Sequence, residues 1–489
     1  MSPARTYTLW AVSTCSRIST FKIPNNSCEV FYFAAISRYI ISGSIRLSGI
    51  LSINAAGSRF LHVRQISEDS KGVYRMAEGD NVSGMLSPYR ALDLTDEKGL
   101  LCGKILGELG VDVIKVEKPG GDSSRNIGPY YHDEVDPEKS LYWFSYNTGK
   151  RGITLDIETD SGREIFKELV KTADIVIDSF PPGHMKEIGL DYGELDKANP
   201  GIIVASITPY GQTGPYKNFK YSDITLYAMG GYMSSVGDIN HPPVRISHHF
   251  QTYLHGGGQA AQGVVMALYH REMTGEGQYI DVSIHDSTSR ITPERVTAFW
   301  DFSKKVQHRA KPSILGRVWE CKDGYVYSMY WGGASGNRWN TPLVRWMESE
   351  GVATDFIKNF DWETFNMMQG SEETLRNIAE PTRALFMKHT KDELLQGARE
   401  HNAQVYPLNN TAEIASNVQL EARDYWVVLE HPELGTSITY PGPFAKTTEA
   451  PPQVTRRAPL IGEHNKEIYI NEMGYSDDKL EELKRDGII

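Results

Sequence analysis

The sequence predicts an α/β fold: a Rossmann-like, doubly wound large domain joined to a smaller α+β domain. Three observations carry this. Short apolar runs alternate with helical periods from Arg90 onward. The run Val111–Val116 (VDVIKV) is apolar in the manner of strands buried inside a parallel sheet. After residue 302 a basic, polar stretch separates a second unit with its own strand and helices.

Taken in order, Arg90–Leu94 reads as a strand, Lys98–Leu109 as a helix and Val111–Val116 as the next strand. The loop KPGGDSSR follows, then strand Gly152–Ile157, helix Asp160–Lys171, strand Asp174–Asp178 and helix Pro182–Ile188. A short helix at Tyr192–Ala198 leads into strand Ile202–Ile207. Next comes HPPVRISHHFQTYLHGGGQAAQGVVMALYHREMTGEGQYIDVS (241–283), read as a strand ending near His249, a loop, a helix from Gly256 to Glu272, a tight turn, and strand Gln278–Ser283. Ala260, Ala261, Val264, Val265, Ala267 and Leu268 set the helical period, and Tyr279–Ser283 alternates as a strand does. A helix over Asp286–Phe302 closes the large domain, residues 76–302. Residues 303–312 are a linker. The small domain, 313–430, holds strand Tyr325–Trp331 and helices Asn337–Glu350 and Glu380–Glu400, and residues 431–489 return to the large domain and end in a helix at Asp477–Asp486.

Residues 1–75 stand apart: nine Lys/Arg against three Asp/Glu, rich in serine, with no period. They read as a transit-type leader or as an extension upstream of a start at Met76, without fixed structure in either case. Their net charge is +6, so the remainder of this chain of net charge −11 carries −17, which disfavours nucleic acid as a partner. Four cysteines without CxxC spacing fit a reducing, cytoplasmic compartment, and no run approaches the ~18 apolar residues of a membrane span.

Candidate chemistry narrows by exclusion. The first βα turn, LTDEKG (94–99), is no GxGxxG, which disfavours a nicotinamide or flavin dinucleotide. No G-x-S-x-G elbow is present for a serine hydrolase. Five histidines crowd residues 241–270, yet His248 and His249 are adjacent on one strand, and no cysteine or carboxylate lies near enough in sequence to complete a metal site; no metal is expected. Lys115, Lys118, Arg125, Lys150 and Arg151 fall at strand ends or beside them, where cations and free backbone N–H groups can hold an anion.

The segments ALDLTDEKGLLCGKILGELGVDVIKVEKPGGDSSR (91–125), NTGKRGITLDI (147–157), ADIVIDSFPPGHMKEIGLDY (173–192), NPGIIVASITPYGQTGPY (199–216) and ALYHREMTGEGQYIDVS (267–283), with the tail RRAPLIGEHNKEIYINEMGYS (456–476), resemble the class III CoA-transferases. The resemblance runs from about Ser87 to the end of the chain. It implies two subunits threaded through one another as an interlocked dimer, coenzyme A or acyl-CoA as substrate, and CoA moved between carboxylic acids. It places the CoA nucleotide against Thr95 and its loop, Lys118, Asn147, Lys150, Arg151 and Phe180. Glu187 stands where the family often carries a basic residue, with Lys186 beside it.

The resemblance also implies an aspartate shortly before ALYHRE, which attacks acyl-CoA and carries the acyl group. Counting back without gaps, that position holds Tyr253, and no Asp or Glu occurs from Ile239 through Arg271. A phenol, with an ordinary pKa near ~10, is a poor nucleophile at neutral pH. The acyl-CoA racemases of the family use a histidine that corresponds here to Ser222, so racemase chemistry is disfavoured. The expectation is therefore an acid-less subunit of a heteromeric transferase, similar to the benzylsuccinate type, acting on an aromatic or branched dicarboxylic acid. Two alternatives stand beside it: a self-sufficient homodimer with a displaced carboxylate, Asp223 or Asp238, and a non-catalytic CoA-binding protein.

Overall fold

The computed structural model of the chain describes residues 84–246, 250–290, 304, 313–366 and 369–489, together with three strands near the start. Those strands, β1 (Tyr39–Ile41), β2 (Ile45–Ile53) and β3 (Arg59–Ile66), pair antiparallel in chain order, where the sequence reading expects no fixed structure. Alternation in Arg46-Leu47-Ser48 and in Leu61-His62-Val63-Arg64 is the local signal for them.

Residues 90–283 are built on six parallel strands: β4 (Arg90–Leu94), β5 (Asp112–Glu117), β6 (Lys150–Thr154), β7 (Ile175–Asp178), β8 (Ile203–Thr208) and β9 (Gln278–Ser283). Their order across the sheet is β6-β5-β4-β7-β8-β9, so the direction of winding reverses between β4 and β7. The crevice outside the carboxyl ends at such a reversal is where open α/β sheets bind ligands.

Neighbouring residues on one strand face opposite cores. Ala91, Val113, Ile175 and Ile203 pack under α1 (Leu100–Glu108) and a long helix, Gln251–Thr274, that runs beside it. Leu92, Ile114, Val176 and Val204 face the other way, onto α3 (Asp160–Val170) and the C-terminal residues Ile468, Tyr469, Leu480, Leu483 and Ile488. Between these helices come α2 (Leu141–Tyr146), α4 (His184–Glu187), α5 (Tyr192–Ala198) and α6 (Asp223–Met229); the long helix is α7, and α8 (Ile284–Ser289) follows β9.

Two expectations change here. Helix α7 begins five residues before Gly256, which places Gly256 and Gly257 inside it. A Cβ at Gly256 would come within 2.8 Å of Ile284 Cγ1, and one at Gly257 within 3.3 Å of the Cys102 backbone N, so these glycines let α7 lie close against α8 and α1. No strand forms over residues 241–246, and His248 and His249 lie outside the described residues, as do most of the expected helix beyond Ser289 and the linker apart from Lys304.

A separate core forms from Trp319, Tyr330, Trp346, Trp362, Phe386 and their neighbours. Strands β10 (Val318–Cys321), β11 (Gly324–Tyr327) and β12 (Tyr406–Pro407) form an antiparallel sheet, covered by α9 (Gly336–Ser349), α10 (Asp355–Lys358), α11 (Glu372–Lys388) and α12 (Lys391–His401). The single expected helix Glu380–Glu400 is thus two. Thr390 caps α12 by accepting from Glu393 N while the Glu393 carboxylate accepts from Thr390 N, and this reciprocal box starts a new helix where the old one stops.

The hairpin β13 (Trp426–His431) and β14 (Thr436–Pro441) packs Leu429 and Tyr440 onto Trp143 and Phe144. Beyond it the chain runs along the open edge of β6. His464 N donates to Gly152 O (2.9 Å), Gly152 N to His464 Nδ1 (3.1 Å) and Thr154 N to Asn465 Oδ1 (2.9 Å), which covers a strand edge that would otherwise be unpaired.

Candidate functional site

At the reversal point two loops meet. The first follows β4 and contains Thr95, Asp96, Glu97, Lys98 and Gly99; the second follows β7 and contains Ser179, Phe180 and two prolines. They are tied together: Asp96 N donates to Ser179 Oγ (2.9 Å) and Ser179 Oγ donates to Asp96 Oδ1 (2.7 Å). Thr95 is fully buried, its N and Oγ1 both donating to Asp93 Oδ1 (2.9 and 2.6 Å), and its carbonyl accepts from Lys115 Nζ (2.5 Å). Burial pushes the Asp93 carboxyl up, but the charges of Lys150 and Lys115 outweigh it and hold the group below the usual carboxylate range.

The loops open onto a cavity of about 440 Å³, lined by Lys98, Pro181, Lys217, Phe219, Lys220 and Tyr221, among others. Lys98 pairs with Asp96 and lies 5.5 Å from the Tyr221 ring centre. The sequence reading missed Lys217, Lys220 and Tyr221 and held Lys98 only as part of the Thr95–Gly99 loop; all four line this cavity. The missed three lie in Lys217–Tyr221, directly after GQTGPY, a glycine- and proline-bearing loop past β8 whose signal is its position at a strand's carboxyl end. On the other side of Pro181 is a second cavity of about 430 Å³, with Asp178 and Ser206 among apolar walls of Met185, Leu190 and Tyr279 and with Lys186 also present. Burial pushes the Asp178 carboxyl up to about 6, against hydrogen bonds from Ser206 Oγ (2.5 Å) and Phe180 N (3.2 Å).

The residues named from the sequence divide in two. Thr95, Lys118 and Phe180 lie at the carboxyl edge. Lys118 is half exposed, its Nζ 3.6 Å from Glu158 Oε1, and Phe180 packs against the His184 ring at 4.7 Å. Asn147, Lys150 and Arg151 lie at the opposite end, where β6 begins, and are directed inward. Lys150 Nζ is fully buried, donating to Asp93 Oδ2 (2.8 Å), Asn147 Oδ1 (2.9 Å) and Leu100 O (3.0 Å). Three donors meet three acceptors, leaving none for a ligand. Arg151 grips Asp112 through two nitrogens and also pairs with Glu467 and Glu472. These contacts engage the polar side-chain groups of Asn147, Lys150 and Arg151 within the chain.

Tyr253 occupies the first turn of α7, 5% exposed, with its ring stacked on Phe250 at 5.3 Å. Burial, and after it the charge of Glu97, pushes its phenol well above the ordinary range. A first-turn N–H of α7 is satisfied from outside: Asp223 Oδ1 accepts from Thr252 N (2.9 Å) and Oγ1 (2.7 Å). Asp223 Oδ2 faces Arg245 Nη1 at 3.4 Å, and Asp238 accepts from Asn240 N and contacts His241. Among the described residues no group of three or more His, Cys, Asp or Glu could hold a metal, and no helix is long and apolar enough to cross a membrane.

Comparison with known proteins gives consistent results. The family model described as CoA-transferase family III matches residues 86–465. The chain is 34% identical over 404 residues to the succinyl-CoA:(R)-benzylsuccinate CoA-transferase subunit BbsE of Thauera aromatica, covering 82% of this chain and 98% of that one. It is 31% identical to a formyl-CoA:oxalate CoA-transferase of Streptomyces avermitilis, over 83% of this chain and 99% of the relative. In three dimensions it resembles a CAIB/BAIF family protein from Brucella suis with a TM-score of 0.67 and 26% identity, over 78% of this chain and 98% of that one.

Proposed function

Because the chain belongs to CoA-transferase family III, we propose that it moves CoA between an acyl-CoA donor and a carboxylic acid as one of two homologous chains of a heteromeric enzyme. In this reading it contributes a CoA site and lacks the acid at the start of α7. The observation that carries it is Tyr253: a buried phenol held protonated stands where the resemblance expects an attacking carboxylate. Likeness to a transferase subunit supports the pairing, and it supports an aromatic or branched dicarboxylic acid as the substrate class.

CoA is held, in this proposal, at the carboxyl edge. Lys118, Lys98, Lys217 and Lys220 offer positive charge to phosphates, and the Thr95–Gly99 and Phe180 loops offer backbone and an apolar face. Lys150, held by Asn147, acts from beneath by fixing Asp93 and hence the loop, while Arg151 ties β5 to the C-terminal segment through Asp112, Glu467 and Glu472. The test is purification of the chain expressed alone and with a homologous neighbour that carries aspartate at the equivalent position. CoA transfer that needs both chains supports the reading. Full transfer by this chain as a homodimer overturns it, and CoA binding without transfer in any pairing favours a non-catalytic role.

A further inference from the structure

Five aspartate and glutamate side chains are buried among the described residues: Asp93, Glu108, Glu117, Asp178 and Asp223. Four of them face a cation of the same chain. Asp93 meets Lys150 at 2.8 Å, Glu108 meets Lys104 at 3.1 Å, Glu117 meets Arg125 at 2.6 Å and Asp223 meets Arg245 at 3.4 Å. Asp178, 1% exposed, has no ion pair among the described residues. It accepts from Ser206 Oγ (2.5 Å) and Phe180 N (3.2 Å), which fills two of a carboxylate's roughly four acceptor positions. A charge taken out of water is ordinarily paired, and this one is not.

The sheet directs Asp178 into a cavity. Asp178 on β7 is the register partner of Ser206 on β8, and Val204, two residues earlier on β8, is the partner of Tyr279 on β9. Alternation along the strands puts these four side chains on one face. All four line the cavity of about 430 Å³ beside Pro181, together with Met185 and Leu190. The Tyr279 ring lies 6.1 Å from the ring of Tyr192, which lines the same space.

We infer that this cavity is a binding site for a small organic cation, a primary ammonium or amidinium on an apolar or aromatic body, whose charge supplies the counter-ion that Asp178 lacks. The volume falls in the range of ligand sites, the aliphatic walls receive the body, and two phenol rings favour a cation beside them. The lining carries two carboxylates, Asp178 and Asp191, against the one ammonium of Lys186, which disfavours an anion. A bare metal ion is disfavoured as well, because no group of three or more His, Cys, Asp or Glu among the described residues could hold one. Burial raises the Asp178 carboxyl to about 6, so at about pH 7.5 the group is mostly ionised and able to receive a positive charge. The site is independent of the pairing proposed above, and Pro181, which lines both cavities, stands between it and the proposed CoA edge.

Benzylammonium serves as the probe, and benzyl alcohol, uncharged and of nearly the same shape, as the reference. Binding to the full chain, with any partner that co-purifies, is read by ligand-observed NMR titration at about pH 7.5. Benzylammonium is expected to bind at least about ten-fold more tightly than benzyl alcohol. Asp178→Asn, nearly isosteric, is expected to abolish that preference. Asp191→Asn, which keeps a side-chain acceptor at the start of α5, is expected to leave it in place. Equal binding of the two probes, or binding of neither, overturns the inference. So does a preference that survives in Asp178→Asn or disappears in Asp191→Asn. The comparison of probes needs no variant, so a variant that fails to fold leaves the test standing.

Discussion

Lys150 Nζ lies 2.8 Å from Asp93 Oδ2, and neither side chain is exposed at all. The pair spans from the start of β6 to the middle of the sheet, and through Asp93 it sets the conformation of Thr95 and the loop beyond. Lys150→Met leaves Asp93 charged and short of one partner. A loss of about 3–5 kcal/mol in unfolding free energy is expected, measured by urea titration. Adding Asp93→Asn is expected to recover part of it, because the uncompensated charge is then gone.

Tyr253→Phe removes a hydroxyl that makes no hydrogen bond among the described residues. Stability and CoA-transfer rate are expected to stay within about two-fold of the parent, since no partner is stranded. A rate loss of a hundred-fold in steady-state assays, with normal stability, would give the phenol a direct part in the reaction.

Lys118→Ala tests the edge where CoA is proposed to lie. The side chain is half exposed and only loosely paired with Glu158, so the fold is expected to be unaffected. CoA affinity, read by calorimetry, is expected to fall by about 1–3 kcal/mol if the ammonium meets a phosphate. Unchanged affinity removes Lys118 from the site.

Asp178 links stability to pH. Its folded carboxyl titrates at about 6, above the unfolded value, so the folded state holds the extra proton in the window between. This group's contribution is therefore most favourable below pH ~4, declines as pH rises through 6, and is level above that. Asp178→Asn is expected to remove that decline. The difference between parent and variant stability should change by on the order of 2–3 kcal/mol from pH 4 to pH 7. A constant difference would show that Asp178 titrates normally.

The sheet was legible because its strands are short apolar runs between helical periods, and Arg90–Leu94 and Tyr192–Ala198 fall where the pattern puts them. Two kinds of feature were not. The start of α7 is capped by Asp223, 29 positions away, and no local signal announces such a cap. The inward course of Lys150 and Arg151 depends on Asp93, Asp112 and Glu467, whose proximity exists only after folding.

The cover over β6 has a consequence for how the protein is made. Gly152 waits for His464, 312 positions later, so at ~5–20 residues per second the rim of the sheet emerges from the ribosome roughly 15–60 s before its partner does. During that interval β6 offers an unpaired edge, open to whichever strand or loop arrives first.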